Sequence, residues 1–435
     1  MSYVAKRQIG KVKIITIIYF MICLMPFLRY YNFPGISVGI ELLLVIGILV
    51  LYLLLITRST YKSEILQIKR SRKWFAIFLV WAVLITFFYE VFTEYNVSNS
   101  LASVSIFGYI STIITALVIF MLMNDGYHNY VSFIKIYSFF VWLTLLVYLF
   151  QWGLYILGIK VGFNIPFLDF SSGWDNVKGI TFGMNGLPSG LFSERAHFCQ
   201  FFTPYITLCL FSKNSRIEKP LVKAVIVSVA VISTVSGNGV IIIGIVWMMY
   251  FLLFGNTAKR NKIIVSVLGI ITIVIVFIKL QELPVFNEMF LRLFADKSGS
   301  SYYYSKADYR IYRGFNVYSK LPFAQKLLGV GFKHMQMFAN GYSIISFYDR
   351  TNVAYEYFST VTQILIYFGL FGFFSFVNHV FQLLKTRLNV VRAFLVVMIA
   401  LWFSSSIFLD CMHVLYIASL IAVIKYEYSE RYRTV

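Results

Sequence analysis

Long apolar runs separated by mostly short polar breaks dominate the chain. Runs of about 17–22 residues, enough to cross a bilayer core as a helix, predict twelve helices. They lie at 14–29, 37–57, 74–93, 104–123, 135–158, 197–212, 221–236, 238–255, 263–280, 357–379, 391–409 and 411–426. Helices seven and eight are divided only by Ser236-Gly237-Asn238-Gly239, a break short enough for a deep or re-entrant turn. Two other breaks are long, at 159–196 and at 281–356 between helices nine and ten. A connection of that length is uncommon without a role of its own. The second alternates aromatics with charges, as a folded subdomain does, and has helical character over 306–319 that Leu321-Pro322 ends. Leu327-Leu328-Gly329-Val330-Gly331 then reads as a turn. The halves of the chain do not resemble each other, unlike the halves of many transporters. The expectation is one integral membrane unit over 1–435, all-α and polytopic, with about twelve spans and a loop subdomain at 281–356.

Composition agrees with this pattern. Apolar and aromatic residues make up 59% and charged residues 13%, against roughly 25% charged in a soluble protein. With 26 Gly, 8 Pro and 4 Cys, collagen-like, disordered and disulfide-scaffold classes drop out. Cys23, Cys199, Cys209 and Cys411 lie in or beside spans without metal-ligand spacing, and read as packing residues.

The formal charge of +20 would ordinarily point to an acidic partner, but its placement is topological. Most of the 38 Lys and Arg fall on alternate connections: Lys6 to Lys13, Arg58 to Lys73, Lys213 to Lys223, Lys259 to Lys262, Lys385 to Arg392 and Lys425 to Arg433. The positive-inside rule puts these connections and both termini in the cytoplasm. The first helix follows a basic start, lacks a small-residue cleavage site, and reads as an uncleaved anchor. No basic stretch sits in a soluble domain, so nucleic acid is not an expected partner.

Candidate chemistry concentrates on the opposite side. Arg310 and Arg313 lie three apart in the expected loop helix, with Lys306 one turn earlier. Cations on one face repel one another unless something anionic binds, and a guanidinium fork matches phosphate oxygens. Glu194, Arg195 and His197 stand where helix six enters the bilayer, and Glu194 and His197 share a face. Ionisable groups at such depth are costly and tend to line a cavity. Either one could serve as a general base. Asp410 and His413 repeat the spacing before helix twelve and read as a capping pair. Glu41 is the lone carboxylate within a span and falls near Arg29 at the outer surface.

Gly190-Leu191-Phe192-Ser193-Glu194-Arg195-Ala196-His197-Phe198 resembles the glutamate-and-histidine stretch of Wzy-type oligosaccharide repeat-unit polymerases, the O-antigen and capsular polysaccharide polymerase family. Ser233-Thr234-Val235-Ser236-Gly237-Asn238-Gly239 is similar to that family's serine/glycine turn. Asp308-Tyr309-Arg310 with Leu327-Leu328-Gly329-Val330-Gly331-Phe332 resembles its outer-loop arginine and glycine pair, and Tyr367-Phe368-Gly369-Leu370-Phe371-Gly372 its glycine-rich helix. These motifs span about 190–372; elsewhere the match is in hydropathy alone. Many members carry Pro where Arg195 stands and an Arg some residues before the Glu, a charge that Lys178 or Arg195 would have to replace here.

The resemblance implies a fold like that of polyprenyl-phosphate-dependent glycosyltransferases (GT-C-like) in a bacterial cytoplasmic membrane. The implied reaction polymerises undecaprenyl-diphosphate-linked repeat units into capsule, exopolysaccharide or O-antigen. Candidate catalytic residues are Glu194, His197 and Arg310. Candidate substrate-binding residues are Arg195, Arg313, Lys178, His334 and Tyr303, with aromatics such as Trp174 and Tyr302 to Tyr304 stacking on sugar rings. No Asp-x-Asp pair occurs in an outer loop, so neither a metal nor another cofactor is expected. The expected partners are the lipid-linked oligosaccharide and membrane lipid, with a chain-length regulator and a flippase as further candidates. The rival readings are an O-antigen-ligase-like transferase and a lipid-linked oligosaccharide flippase or transporter.

Overall fold

The computed structural model of the chain describes residues 3–35, 38–58, 65–92, 99–159, 165, 167–170, 188–212, 216–253, 307–332 and 358–433. Among them the architecture is helical, and the most extensive packing is between helices far apart in sequence, Leu66–Phe92 against Thr360–Leu384. The helices are α1 (Tyr3–Leu28), α2 (Ile40–Arg58), α3 (Leu66–Phe92), α4 (Asn99–Leu122), α5 (Tyr130–Ile156), α6 (Arg195–Phe211), α7 (Pro220–Ser233) and α8 (Gly237–Leu253). Further along come α9 (Ala307–Lys320), α10 (Phe323–Leu328), α11 (Thr360–Leu384), α12 (Asn389–Ser404) and α13 (Cys411–Arg433); α9 and α10 fall within the 281–356 stretch. Eleven of the twelve expected helices have counterparts; the ninth, at 263–280, lies outside the described residues.

Among the described residues, five helices are long and apolar enough to cross a membrane: Ile40–Thr57, Leu66–Tyr89, Tyr130–Ile156, Thr360–Leu384 and Cys411–Glu430. Five shorter apolar helices accompany them. Burial sorts the long ones. The Cys411–Glu430 window is 83% buried and those in α2 and α3 are 28%, so α13 is the central post and α2 and α3 are peripheral. On α5, Leu146, Leu149 and Phe150 are exposed, as are Leu84, Phe87 and Phe88 on α3. Such an apolar outer surface suits a membrane and not water.

The helix ends differ from the sequence reading where charged residues continue the helical backbone. α3 starts at Leu66 and carries Lys69 to Lys73 within it, and α13 runs on to Arg433. α6 is buried along nearly its whole length, which fits an element surrounded by others, not one facing lipid. Its start is fixed by Gln151 of α5. The Gln151 amide oxygen accepts from the backbone N–H groups of Ser189 (3.2 Å) and Gly190 (2.8 Å), and its nitrogen donates to the Gly190 carbonyl (2.8 Å). Beneath lie Phe27, Phe192 and Phe201, with ring centroids 4.9–5.3 Å apart.

Strands β1 (Tyr31–Asn32) and β2 (Asp169–Phe170) pair antiparallel, Tyr31 with Phe170 and Asn32 with Asp169. They tie the connection after α1 to the loop before α6.

The third fixed point is a break in α11. Gly369 has φ +64° and ψ −170° inside the helix, a conformation open essentially to glycine alone. The break frees carbonyls, and neighbours take them up. Val330 N–H donates to the Ile366 carbonyl (3.0 Å), Gly331 N–H to Tyr367 (2.9 Å) and the Trp81 indole to Phe368 (2.9 Å). Phe332 N–H adds a bond to the Thr86 hydroxyl at 2.9 Å. Residues 327–332 are thereby laid along the broken helix. The two glycine motifs read separately in the sequence are each other's packing partners.

Candidate functional site

One end of the bundle gathers the end of α1 with the starts of α2, α6, α8, α11 and α13. Arg29 directly follows α1, two residues beyond the packed Phe27. Its Nη1 lies 3.1 Å from Asp410 Oδ2, just before α13, and 3.2 Å from His197 Nε2 in the first turn of α6. The Tyr30 ring stands 5.4 Å from the Arg29 guanidinium carbon and 5.6 Å from the His197 ring. Glu41 Oε1, in the first turn of α2, accepts the Cys411 N–H at 3.2 Å. Four segments thus converge on one guanidinium.

The electrostatics favour a charged Arg29. Burial alone would lower its pKa, but the facing Tyr30, Asp410 and Glu41 lift it well above the ordinary arginine value. Burial also raises the Tyr30 phenol, and the nearby Glu194 carboxylate adds to that rise.

Glu194 occupies the N-cap position of α6, yet its side chain makes no capping hydrogen bond. The carboxylate is partly exposed and accepts no hydrogen bond from a described residue. Its side chain therefore does not cap the helix it begins. Beside it, Arg195 Nη1 donates to the Thr234 carbonyl at 2.9 Å, which joins α6 to the turn between α7 and α8. That turn is tight. Val235 has φ +57°, costly for a β-branched residue, and Gly239 packs so close to Cys199 that a Cβ would clash with its sulfur.

A line of polar side chains leads from this turn toward the large loop. Asn238 Nδ2 donates to Ser405 Oγ at 3.2 Å, and Thr360 Oγ1 donates to the Ser405 carbonyl at 2.9 Å. Ser359 caps α11 through the Thr362 N–H. Gly314 of α9 meets the Thr362 side chain so closely that no Cβ would fit between them. The α9 backbone, which carries Arg310 and Arg313, is thus docked at this same end, and the orientation of those two side chains is outside the described set.

On the other flank, a small apolar cavity of about 60 Å³ opens between α3, α4 and the 327–332 segment. Leu79, Ala82, Thr86, Phe332, Phe368 and Leu409 line it. Leu409 directly precedes Asp410, so the cavity borders the ionic cluster.

Of the residues expected from sequence, Glu194, Arg195 and His197 come together here, and Arg310 and Arg313 lie on a helix docked nearby. Lys178, Tyr303 and His334, with Trp174, Tyr302 and Tyr304, lie outside the described residues. Asp410 does cap His413, accepting its N–H at 3.0 Å, but the pair is not merely interfacial. His413 is fully buried, and Asp410 also holds Arg29. Sequence reasoning placed Arg29, Glu41 and Asp410 on one side without joining them to Glu194 and His197. The signal available was that each ionisable group ends or begins a span on the same side. The four cysteines are buried and unpaired, as packing residues.

No protein-family model matches the chain, and no curated protein matches it either.

Proposed function

We propose that the chain polymerises lipid-linked oligosaccharide repeat units at the outer face of a bacterial cytoplasmic membrane, both termini lying inside. The observation that carries this reading is the Glu194 carboxylate. It is partly exposed, uncommitted to any described donor, and set beside Arg195, His197 and the Arg29–Asp410 pair where helix ends converge. A base at this position, Glu194 or His197, takes the proton of an acceptor sugar hydroxyl. The oxygen then attacks the anomeric carbon of the donor glycan, and the bond from that carbon to the lipid diphosphate breaks.

The departing diphosphate needs preorganised positive charge, for which Arg310, Arg313 and Arg195 are the candidates. Capsule, exopolysaccharide and O-antigen are all products of this chemistry.

Arg310→Ala and Glu194→Gln test the reading in cells that depend on this protein for polymer. Both should leave single lipid-linked units and no polymer at unchanged protein level, with Glu194→Gln losing at least about 100-fold in rate. Full-length polymer from Arg310→Ala would sink the diphosphate role. Long lipid-linked chains in a deletion strain would turn the reading to a ligase, and single units trapped on the inner face would turn it to a flippase.

A further inference from the structure

The contact between Arg29 and His197 restricts what the imidazole can do. Arg29 Nη1 lies 3.2 Å from His197 Nε2. A guanidinium has five N–H donors, no acceptor, and keeps its proton in proteins. His197 Nε2 must therefore present its lone pair, and a neutral ring then carries its one proton on Nδ1. A proton on Nε2 would set donor against donor.

Arg29 is not at liberty to turn aside. The same Nη1 is 3.1 Å from Asp410 Oδ2, and Asp410 Oδ1 is fixed by the His413 N–H at 3.0 Å. Tyr30 flanks both partners, and Glu41 adds a second carboxylate within electrostatic reach of Arg29. The ring itself is buried and is carried on a turn pinned by Gln151. Glu194, three residues earlier, has no comparable engagement with a described residue.

We propose that Arg29 holds His197 as the neutral, Nδ1-protonated tautomer, so that His197 is a positioning residue and Glu194 is the group that takes the acceptor proton. The assignment of the base rests on the glycan-transfer reading above; the tautomer does not. An imidazole whose Nε2 lone pair already receives a guanidinium N–H has no lone pair left for a hydroxyl proton, since its other nitrogen bears hydrogen. His197 instead braces Arg29 against α6 and keeps the start of that helix, with Glu194, in register with α1 and α13.

Two measurements test this on the full-length protein in lipid nanodiscs. The chain has 5 histidines, so ¹⁵N-histidine labelling gives few signals, and the His197 pair is identified by its loss in His197→Gln. The expected spectrum shows a bare Nε2 and a protonated Nδ1, with the tautomer balance shifting in Arg29→Gln. A protonated Nε2 in the wild type overturns the tautomer, whatever the reaction. In a polymerisation assay with purified lipid-linked repeat units, His197→Ala is expected to lose about tenfold or more. His197→Gln, whose amide oxygen can accept from Arg29, is expected to recover most of that loss, whereas Glu194→Gln stays down at least about 100-fold, the scale of a missing general base. A folded His197→Gln no better than His197→Ala, and as deficient as Glu194→Gln, overturns the positioning role. Wild-type protein that makes no polymer overturns the glycan-transfer reading instead, and the spectrum alone then decides the tautomer.

Discussion

At the residue scale, the Arg29–Asp410 pair shows why a buried charge is informative. Arg29 keeps 20% and Asp410 11% of side-chain exposure, so both have lost most of their water. Replacing such a pair by apolar residues is often nearly neutral, but removing one partner strands the other, at roughly 3–5 kcal/mol when fully buried. The remaining exposure of Arg29 and the nearby Glu41 soften the cost here. Asp410→Ala should therefore destabilise the protein by about 2 kcal/mol, below that fully buried range. Arg29→Met combined with Asp410→Leu should cost less than either single change. Denaturant unfolding in detergent reads the difference. A double variant weaker than both singles would mean that the pair contributes net stability of its own. Arg29 and Asp410 were legible in the sequence as isolated charges near span ends. Nothing in their spacing tied them together, because the residues between them number in the hundreds and the link is made by packing.

At the scale of elements, the break in α11 is the feature that organises the packing of α9, α10 and the 327–332 segment. Two helices that cross a bilayer unbroken would satisfy their own backbones. Here the chain breaks one helix at Gly369 and uses the freed carbonyls to dock 327–332. A Cβ on Gly369 would clash with the Leu327 carbonyl and the Gly329 nitrogen, and one on Gly329 with the Tyr367 carbonyl. Both clashes are with backbone, which cannot swing away as a side chain can. Gly369→Ala is therefore expected to cost roughly 3 kcal/mol, combining an unfavourable φ/ψ with lost close packing, and to release the 327–332 segment. Limited proteolysis after Phe332 should accelerate in this variant; cleavage at the wild-type rate would count against the docking. The sequence marked both glycine stretches and read the first as a turn. Their mutual contact was not legible, because a glycine pattern says that something approaches closely and not what approaches.

At the scale of the whole molecule, the opposite end is closed by a second polar network. His128 Nε2 donates to the Leu122 carbonyl at 2.7 Å, so its Nδ1 is the acceptor for the Tyr19 hydroxyl at 3.1 Å. Lys425 of α13 donates to the Gly126 and His128 carbonyls at 3.0 and 2.9 Å. The connection between α4 and α5 is thereby fastened to α1 and to the central post. Burial pushes the His128 pKa down to about 4, and the Lys425 charge acts in the same direction. The folded protein thus prefers neutral His128, whereas the unfolded chain protonates it near 6.5. Its contribution is fully present above about pH 6.5 and is lost as pH falls from there to about 4, up to roughly 3 kcal/mol. Unfolding midpoints at pH 7 and pH 4.5 should therefore lie further apart for the wild type than for His128→Gln. Equal separations in the two proteins would show that another group governs the acid limb.

By itself the sequence determined that the protein is a helical membrane protein. Apolar runs of bilayer length leave little alternative, because every backbone group in hydrocarbon must be paired within its own segment. It also placed Glu194, His197, Arg29, Glu41 and Asp410 on one side, since alternation of spans fixes sides. Tertiary structure decided which of these meet. The aromatic packing of Phe27 against Phe192 and Phe201 sets Arg29 against α6, and the buried position of α13 brings Asp410 beneath the same guanidinium. Side is a one-dimensional property that hydropathy carries along the chain; adjacency depends on how helices pack around one another, and that is settled by side-chain shape across the whole bundle.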